Sequence, residues 1–100
     1  MSVAEFKKVL FKSARLIDGV SDQALNGVSI LLDGKRIARV LQGDIPVFDE
    51  VECIDLSGEA VMPGLIDTHV HTVMMDSEYL PLFLAAGVTT ARDVGASTWY

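Results

Sequence analysis

His69-Val70-His71 is the segment of this chain whose residue types and spacing best suit chemistry. On an extended backbone, residues two apart lie on one face, with Cα atoms roughly 6.6 Å apart at a rise of about 3.3 Å per residue. The two imidazoles can then converge on one ion. On a helix the same spacing would turn the rings about 200° apart around the axis, so the pair is a chelate only on a strand. Imidazole suits Zn²⁺, Fe²⁺, Ni²⁺ and Mn²⁺ to different degrees, and a catalytic zinc takes three protein ligands plus an open position. At least one further ligand must come from elsewhere. An isolated His-x-His is more commonly a surface or packed pair, but these are the only two histidines in the chain. Asp67 shares their parity one step deeper along the strand. A buried carboxylate needs a partner, so Asp67 either orients the histidines by hydrogen bonding or serves as a structural charge bonded to backbone donors.

The flanking sequence supplies the strand that the pair requires. After Pro63-Gly64, Leu65, Ile66, Thr68 and Val70 give the segment that ends at His71 an apolar, β-branched frame that reads as a strand. A polar stretch follows, then Tyr79, Leu82, Phe83 and Ala86 at i, i+3, i+4 and i+7, which mark one apolar helical face. Asp76 or Ser77 is a candidate cap, Pro81 suits the first turn, and Gly87 supplies a left-handed stop. A second β-rich run, from Val88 to Val94, completes a strand, crossover helix and strand, whose two strands should be parallel. The step of 23 positions from Leu65 to Val88 makes a compact version of the roughly 31-residue repeat of an eightfold (β/α) barrel, in which catalytic groups sit at the carboxyl ends of the strands. Two parallel strands bury neither face alone. The chain therefore reads as a piece of a larger α/β enzyme.

The first sixty or so residues have another character. Val9 to Ile17 is an apolar, β-branched run closing on Asp18-Gly19; Asn26-Gly27 reads as a turn before the run from Val28 to Leu32. Asp33-Gly34 separates that run from the one spanning Arg36 to Leu41, a hairpin signal in which both central positions need φ > 0. Gly43 to Pro46 reads as a loop and Val51 to Leu56 as a further strand ending at Ser57-Gly58. The simplest assembly is a small antiparallel β unit. Eight Lys and Arg against 14 Asp and Glu leave a net charge of −6, the wrong sign for nucleic acid or an anionic membrane. No apolar run is long enough for a membrane span. Cys53 is the single cysteine; it forms no intrachain disulfide and reads as a small buried side chain. With charge arriving by Glu5 and Lys7-Lys8, no signal-peptide core begins, and a cytoplasmic protein is expected. Lys7-Lys8 itself reads as a solvated face, and Met74, Met75, Trp99 and Tyr100 as packing or loop residues. Arg92 should point away from the site, and Asp93 either borders it, pairs with an arginine or caps a loop.

The segment Pro63-Gly64-Leu65-Ile66-Asp67-Thr68-His69-Val70-His71 resembles the opening metal-binding signature of the metal-dependent amidohydrolase superfamily. Ala14-Arg15-Leu16-Ile17-Asp18-Gly19 is similar to the N-terminal strand of these enzymes, and residues 57–62 to the approach to the motif. Gly87-Val88-Thr89-Thr90-Ala91-Arg92-Asp93-Val94-Gly95 resembles the second barrel strand of the imidazolonepropionase and Xaa-Pro or Xaa-Arg dipeptidase branch. The resemblance implies an α/β fold: a fragment of a (β/α)₈ TIM barrel, residues 63–100, preceded by part of a small β-sandwich domain, residues 1–62. It implies His69 and His71 as metal ligands, a divalent cofactor (zinc, one or two ions in the complete enzyme), and hydrolysis of C–N bonds in a small-molecule cyclic amide or dipeptide by a metal-activated water. The remaining ligands and general base of the family come from later strands, so this N-terminal part is expected to be inactive alone. Two other readings compete: a non-catalytic β module, and a fragment that pairs its exposed strand edges with other copies. A homo-oligomer is expected from the latter.

Overall fold

A computed structural model describes residues 7–46, 50–72 and 77–95. The backbone divides into two compact units, Met1–Pro63 and Gly64–Tyr100. Its elements are seven strands and one short helix among the described residues, a mixed α/β chain dominated by strands.

In the first unit β1 (Lys8–Leu16), β2 (Leu25–Asp33) and β3 (Arg36–Gln42) form an antiparallel meander. Then the pattern changes. β4 (Val51–Asp55) and β5 (Ala60–Val61) both pair with β1 in parallel, so the sheet is mixed, in the order β3-β2-β1-β4 with β5 also on β1. The all-antiparallel expectation is thereby corrected. The reason is topological: β3 is one edge and β4 the other, so the chain after Gln42 crosses the sheet instead of reversing beside it. Ser29 Oγ donates to the Gly43 carbonyl at 2.6 Å, which ties this connection to the face that Ser29 shares with Leu10 by pairing and alternation. Ile45, on the connection, is buried, as are Leu10 and Ser29; Ala14, Val28 and Ile30 complete the buried set of this unit among the described residues.

Two further turn readings are revised. Asn26-Gly27 lies inside β2, where the β1/β2 ladder shifts register between Ala14 and Leu16; Gly27 takes φ 61° there. An opposite shift lies between Phe11 and Ala14, next to Ser13 at φ 61°. At the hairpin, Asp33 pairs with Arg36, so the central residues are Gly34 and Lys35. Only Gly34 is left-handed, at φ 60°, which is the requirement of a II′ turn with glycine first. Cys53 is exposed, not buried, because it lies on β4 at the sheet edge. Lys7 and Lys8 are exposed as expected, with Lys8 Nζ 3.9 Å from Asp33.

Between β4 and β5 the chain steps away from β1 in a tight turn. Glu59 N–H donates to Leu56 O at 2.8 Å, and Gly58, at φ 82°, occupies the third position as a type II turn requires. Asp55 accepts from the Ser57 hydroxyl (2.6 Å) and amide (2.9 Å). Asp18 likewise closes the loop after β1, accepting from the amides of Val20 and Ser21 and from the Ser21 hydroxyl.

The second unit is β6 (Leu65–Val70), a 3₁₀ turn (Ser77–Tyr79), α1 (Leu80–Ala85) and β7 (Val88–Asp93), with β6 and β7 parallel. Pro81 stands in the first turn of α1, where its missing N–H costs nothing. Gly87, at φ 85°, ends the helix with its N–H on Leu84 O at 3.0 Å. The residue before the helix is Tyr79, with no side-chain cap; Ser77 instead opens the 3₁₀ turn, and Asp76 lies outside the described residues. The apolar helical face is not packed away: Leu82 is 61% exposed and Tyr79 54%, because a helix of 6 residues beside two strands offers little to bury against. Val70 is the buried apolar residue of this unit among those described.

Gly64 is required by space. A Cβ placed there would collide with Oγ1 of Thr89 and stand 2.7 Å from Thr89 Cβ. A stiff β-branched side chain cannot rotate its own Cβ away. Gly64→Ala should therefore destabilise the folded chain by about 1–3 kcal/mol, read as a lower urea midpoint, and Thr89→Ala in the same chain should recover part of the loss. No recovery would mean that the clash lies elsewhere.

The Asp18 carboxyl is held below its ordinary value by the Ser21 and Val20 amides and then the Ser21 hydroxyl. Asp55 is held down by the Ser57 hydroxyl, then its amide, then the charge of Lys12. Both groups are more acidic folded than unfolded, so their contribution is full above the unfolded pKa of about 3.9 and is lost as pH falls through the folded values. An Asp18→Asn, Asp55→Asn variant should be less stable than the parent near neutrality and converge with it in acid. A gap that stays constant with pH in denaturant titrations would contradict this.

Candidate metal centre

The site is built from the carboxyl ends of β6 and β7. His69 lies within β6 and His71 immediately follows its last residue. The extended backbone carries both rings to one region, with centroids 5.3 Å apart and planes at 70°. Both residues are exposed. Asp67, half-buried, accepts the N–H of His69 at 3.1 Å. It thus takes a backbone donor, and that donor belongs to one of the two histidines.

His71 is fixed by its ring. Nδ1 lies 2.9 Å from the carbonyl oxygen of Gly95. A carbonyl oxygen only accepts, so Nδ1 carries the proton and the lone pair is left on Nε2, the arrangement a ligating histidine needs. Gly95 stands just after β7, and the two strand ends are laced together. Val94 N–H donates to Val70 O at 3.0 Å. Asp93 Oδ2 accepts from the Thr72 amide (3.0 Å) and hydroxyl (2.7 Å), while Asp93 Oδ1 accepts from the Gly95 amide at 3.1 Å. Of the roles open to Asp93, the geometry shows the loop cap. Arg92 donates from Nε to Thr68 O at 2.8 Å, a link between the two strands that has no part in the histidine pair.

Two imidazoles, one with a free Nε2, form a soft-to-borderline nitrogen donor set suited to a divalent transition metal. Among the described residues no group of three His, Cys, Asp or Glu comes together, so the pair is a partial site. Sequence reasoning did not single out Thr72 or the carbonyl of Gly95. The signal for the first was its place directly after His71, and for the second the Asp-x-Gly spacing at 93–95, which closes a side chain onto the amide two residues on. Met74, Met75, Trp99 and Tyr100 lie outside the described residues. No described helix is long and apolar enough to cross a membrane.

No family model matches the chain. Individual proteins do. It is 34% identical over 73 residues to a dihydroorotase of Syntrophus aciditrophicus, a match that covers 72% of this chain and 17% of that protein. Among solved structures it superposes on a Xaa-Pro dipeptidase with bound methionine in the active site at a TM-score of 0.75 and 32% identity, covering 90% of this chain and 27% of that one. A prolidase complexed with N-methylphosphonate-L-proline gives a TM-score of 0.77 at 25% identity, covering 92% and 27%. The chain thus spans about a quarter or less of the length of the proteins it matches. Sequence and backbone agree that, over this span, the chain resembles members of the amidohydrolase superfamily.

Proposed function

We propose that this chain contributes the first two metal ligands, His69 and His71, of a hydrolase that cleaves C–N bonds in a cyclic amide or dipeptide. The observation that carries the reading is the pair of rings 5.3 Å apart at the end of β6, with His71 Nδ1 committed to Gly95 O. Residues 63–100 form the first β-α-β unit of a (β/α)₈ barrel and residues 1–62 the N-terminal strands of a β-sandwich. Support for the barrel comes from exposure: Ile66 on β6 is 66% exposed and Leu65 48%, whereas parallel strands are stable with both faces covered. Further strands and helices of a longer protein would cover them and bring the remaining ligands and the general base. Among substrates, the structural neighbours support a dipeptide.

Within this chain the work is positional. Extended backbone at β6 aims both imidazoles into one region, Asp67 holds the His69 amide, and Gly95 holds the His71 ring. Bound there, a divalent cation, zinc by preference, supplies Lewis-acid activation of water and of the scissile carbonyl. Both ligands must be neutral to bind it, so affinity should fall in acid. The cytoplasm is the compartment we infer, and self-association remains part of the reading.

The test is metal content. The full-length protein should purify with about one or two divalent ions per chain and lose them, with its hydrolytic activity, in the His69→Ala, His71→Ala variant, as read by elemental analysis. Unchanged metal content in that variant would overturn the assignment and return the chain to the non-catalytic β-module reading.

A further inference from the structure

We infer that Asp93 is a positioning residue for the metal centre, acting on His71 from the neighbouring strand. This rests on His71 being a ligand. The carboxylate is the point where both strand ends are held. Its Oδ2 takes the amide and hydroxyl of Thr72, the residue after His71, at 3.0 and 2.7 Å. Its Oδ1 takes the amide of Gly95 at 3.1 Å, and the carbonyl of that same residue receives His71 Nδ1 at 2.9 Å. One side chain thus fixes the backbone on the far side of His71 and the acceptor that selects the ring's tautomer. Asp93 pairs with Val70 in the β6/β7 register, which puts it directly beside the last residue of β6.

The chemistry needs an anion with two acceptor oxygens. Among the described residues three N–H or O–H groups, from just beyond the ends of the two strands, converge on Asp93, and a carboxylate accepts all three. An asparagine keeps one acceptor oxygen and turns an NH₂ group toward the remaining donor, so one of the two strand ends is released. If Thr72 is released, the chain after His71 loses its anchor; if Gly95 is released, its carbonyl is no longer aimed at Nδ1. Either loss allows the proton to move to Nε2, which removes the lone pair from the nitrogen left open for metal. Ligand-orienting partners of this kind are typically worth 10–100-fold in metal affinity.

The experiment compares the full-length protein with its Asp93→Asn variant, using Asp55→Asn as a control because that carboxylate caps a turn in the other unit in a similar way. The tautomer of His71 is read from ring ¹⁵N shifts in metal-free protein at alkaline pH, and affinity from titration with Zn²⁺ alone. In the parent His71 should be protonated on Nδ1. In Asp93→Asn the Nε2-protonated form should appear and Zn²⁺ affinity should fall about tenfold or more, while Asp55→Asn changes neither. A folded Asp93→Asn with the parent tautomer, or an Asp55→Asn that shifts it equally, overturns the inference. If Asp93→Asn does not fold, Thr72→Val, which removes only the hydroxyl donor, replaces it; an unchanged His71 tautomer and Zn²⁺ affinity there is likewise overturning. Failure of the parent to take up Zn²⁺ counts against the ligand assignment instead, since the tautomer is measured without metal.

Discussion

Everything in the second unit depends on the backbone between His69 and His71 being extended. Helical geometry would send the two rings to different sides of the chain, and a single peptide of register error would separate His71 from the Gly95 carbonyl that holds its ring. Pairing with β7 maintains that geometry. Leu65 N–H on Gly87 O opens the contact and Val94 N–H on Val70 O closes it, so the ladder is pinned at both ends, the second of them beside the two histidines. The compact crossover suits this task. Pro81 stands in the first turn of the helix and Gly87 stops it, so the described part of the crossover is closed by local chemistry at both ends.

Much of this was legible in the residues. Alternation and turn chemistry locate the long strands to within a residue or two, except at the start of β2, which begins at Leu25, three residues before the apolar run at Val28, and the order strand, helix, strand after Pro63 emerges from the change of period. His69 and His71 stand out because imidazole is rare in this chain and the spacing has one productive geometry. What local patterns do not encode is the identity of the pairing partner. Nothing in Val51–Asp55 announces that it runs parallel to β1, since that is decided by where the preceding connection crosses the sheet. Cys53 was misplaced for the same reason: whether a strand is an edge is a property of the whole sheet. Asn26-Gly27 carries a turn signature, yet Gly27 uses its left-handed freedom to absorb an extra residue within a strand.

The site shows the same division. The two histidines are visible as a motif, but the carbonyl of Gly95 that meets the His71 ring and the carboxylate of Asp93 that holds Thr72 lie more than twenty residues away along the chain. These become neighbours only through the parallel register of β6 and β7. Such partners are hard to find from one sequence because the physics that recruits them, a lone pair facing an N–H, has no linear spacing. Asp93 would look like any acidic residue at a strand end until the amides and hydroxyl that meet it are seen together.

The two irregularities in the β1/β2 hairpin are opposite in sense: one adds a residue to β1 beside Ser13, the other adds one to β2 at Gly27, and beyond them Leu16 faces Leu25 in the alignment that Phe11 and Ile30 began. They therefore behave as a matched insertion. Deleting either alone would put the pairs beyond it out of step and turn their side chains over, whereas losing both together would leave the outer pairs aligned. Length changes at these two places should travel in pairs through the descendants of this sheet, a kinship between distant positions written in the count of residues and not in their chemistry.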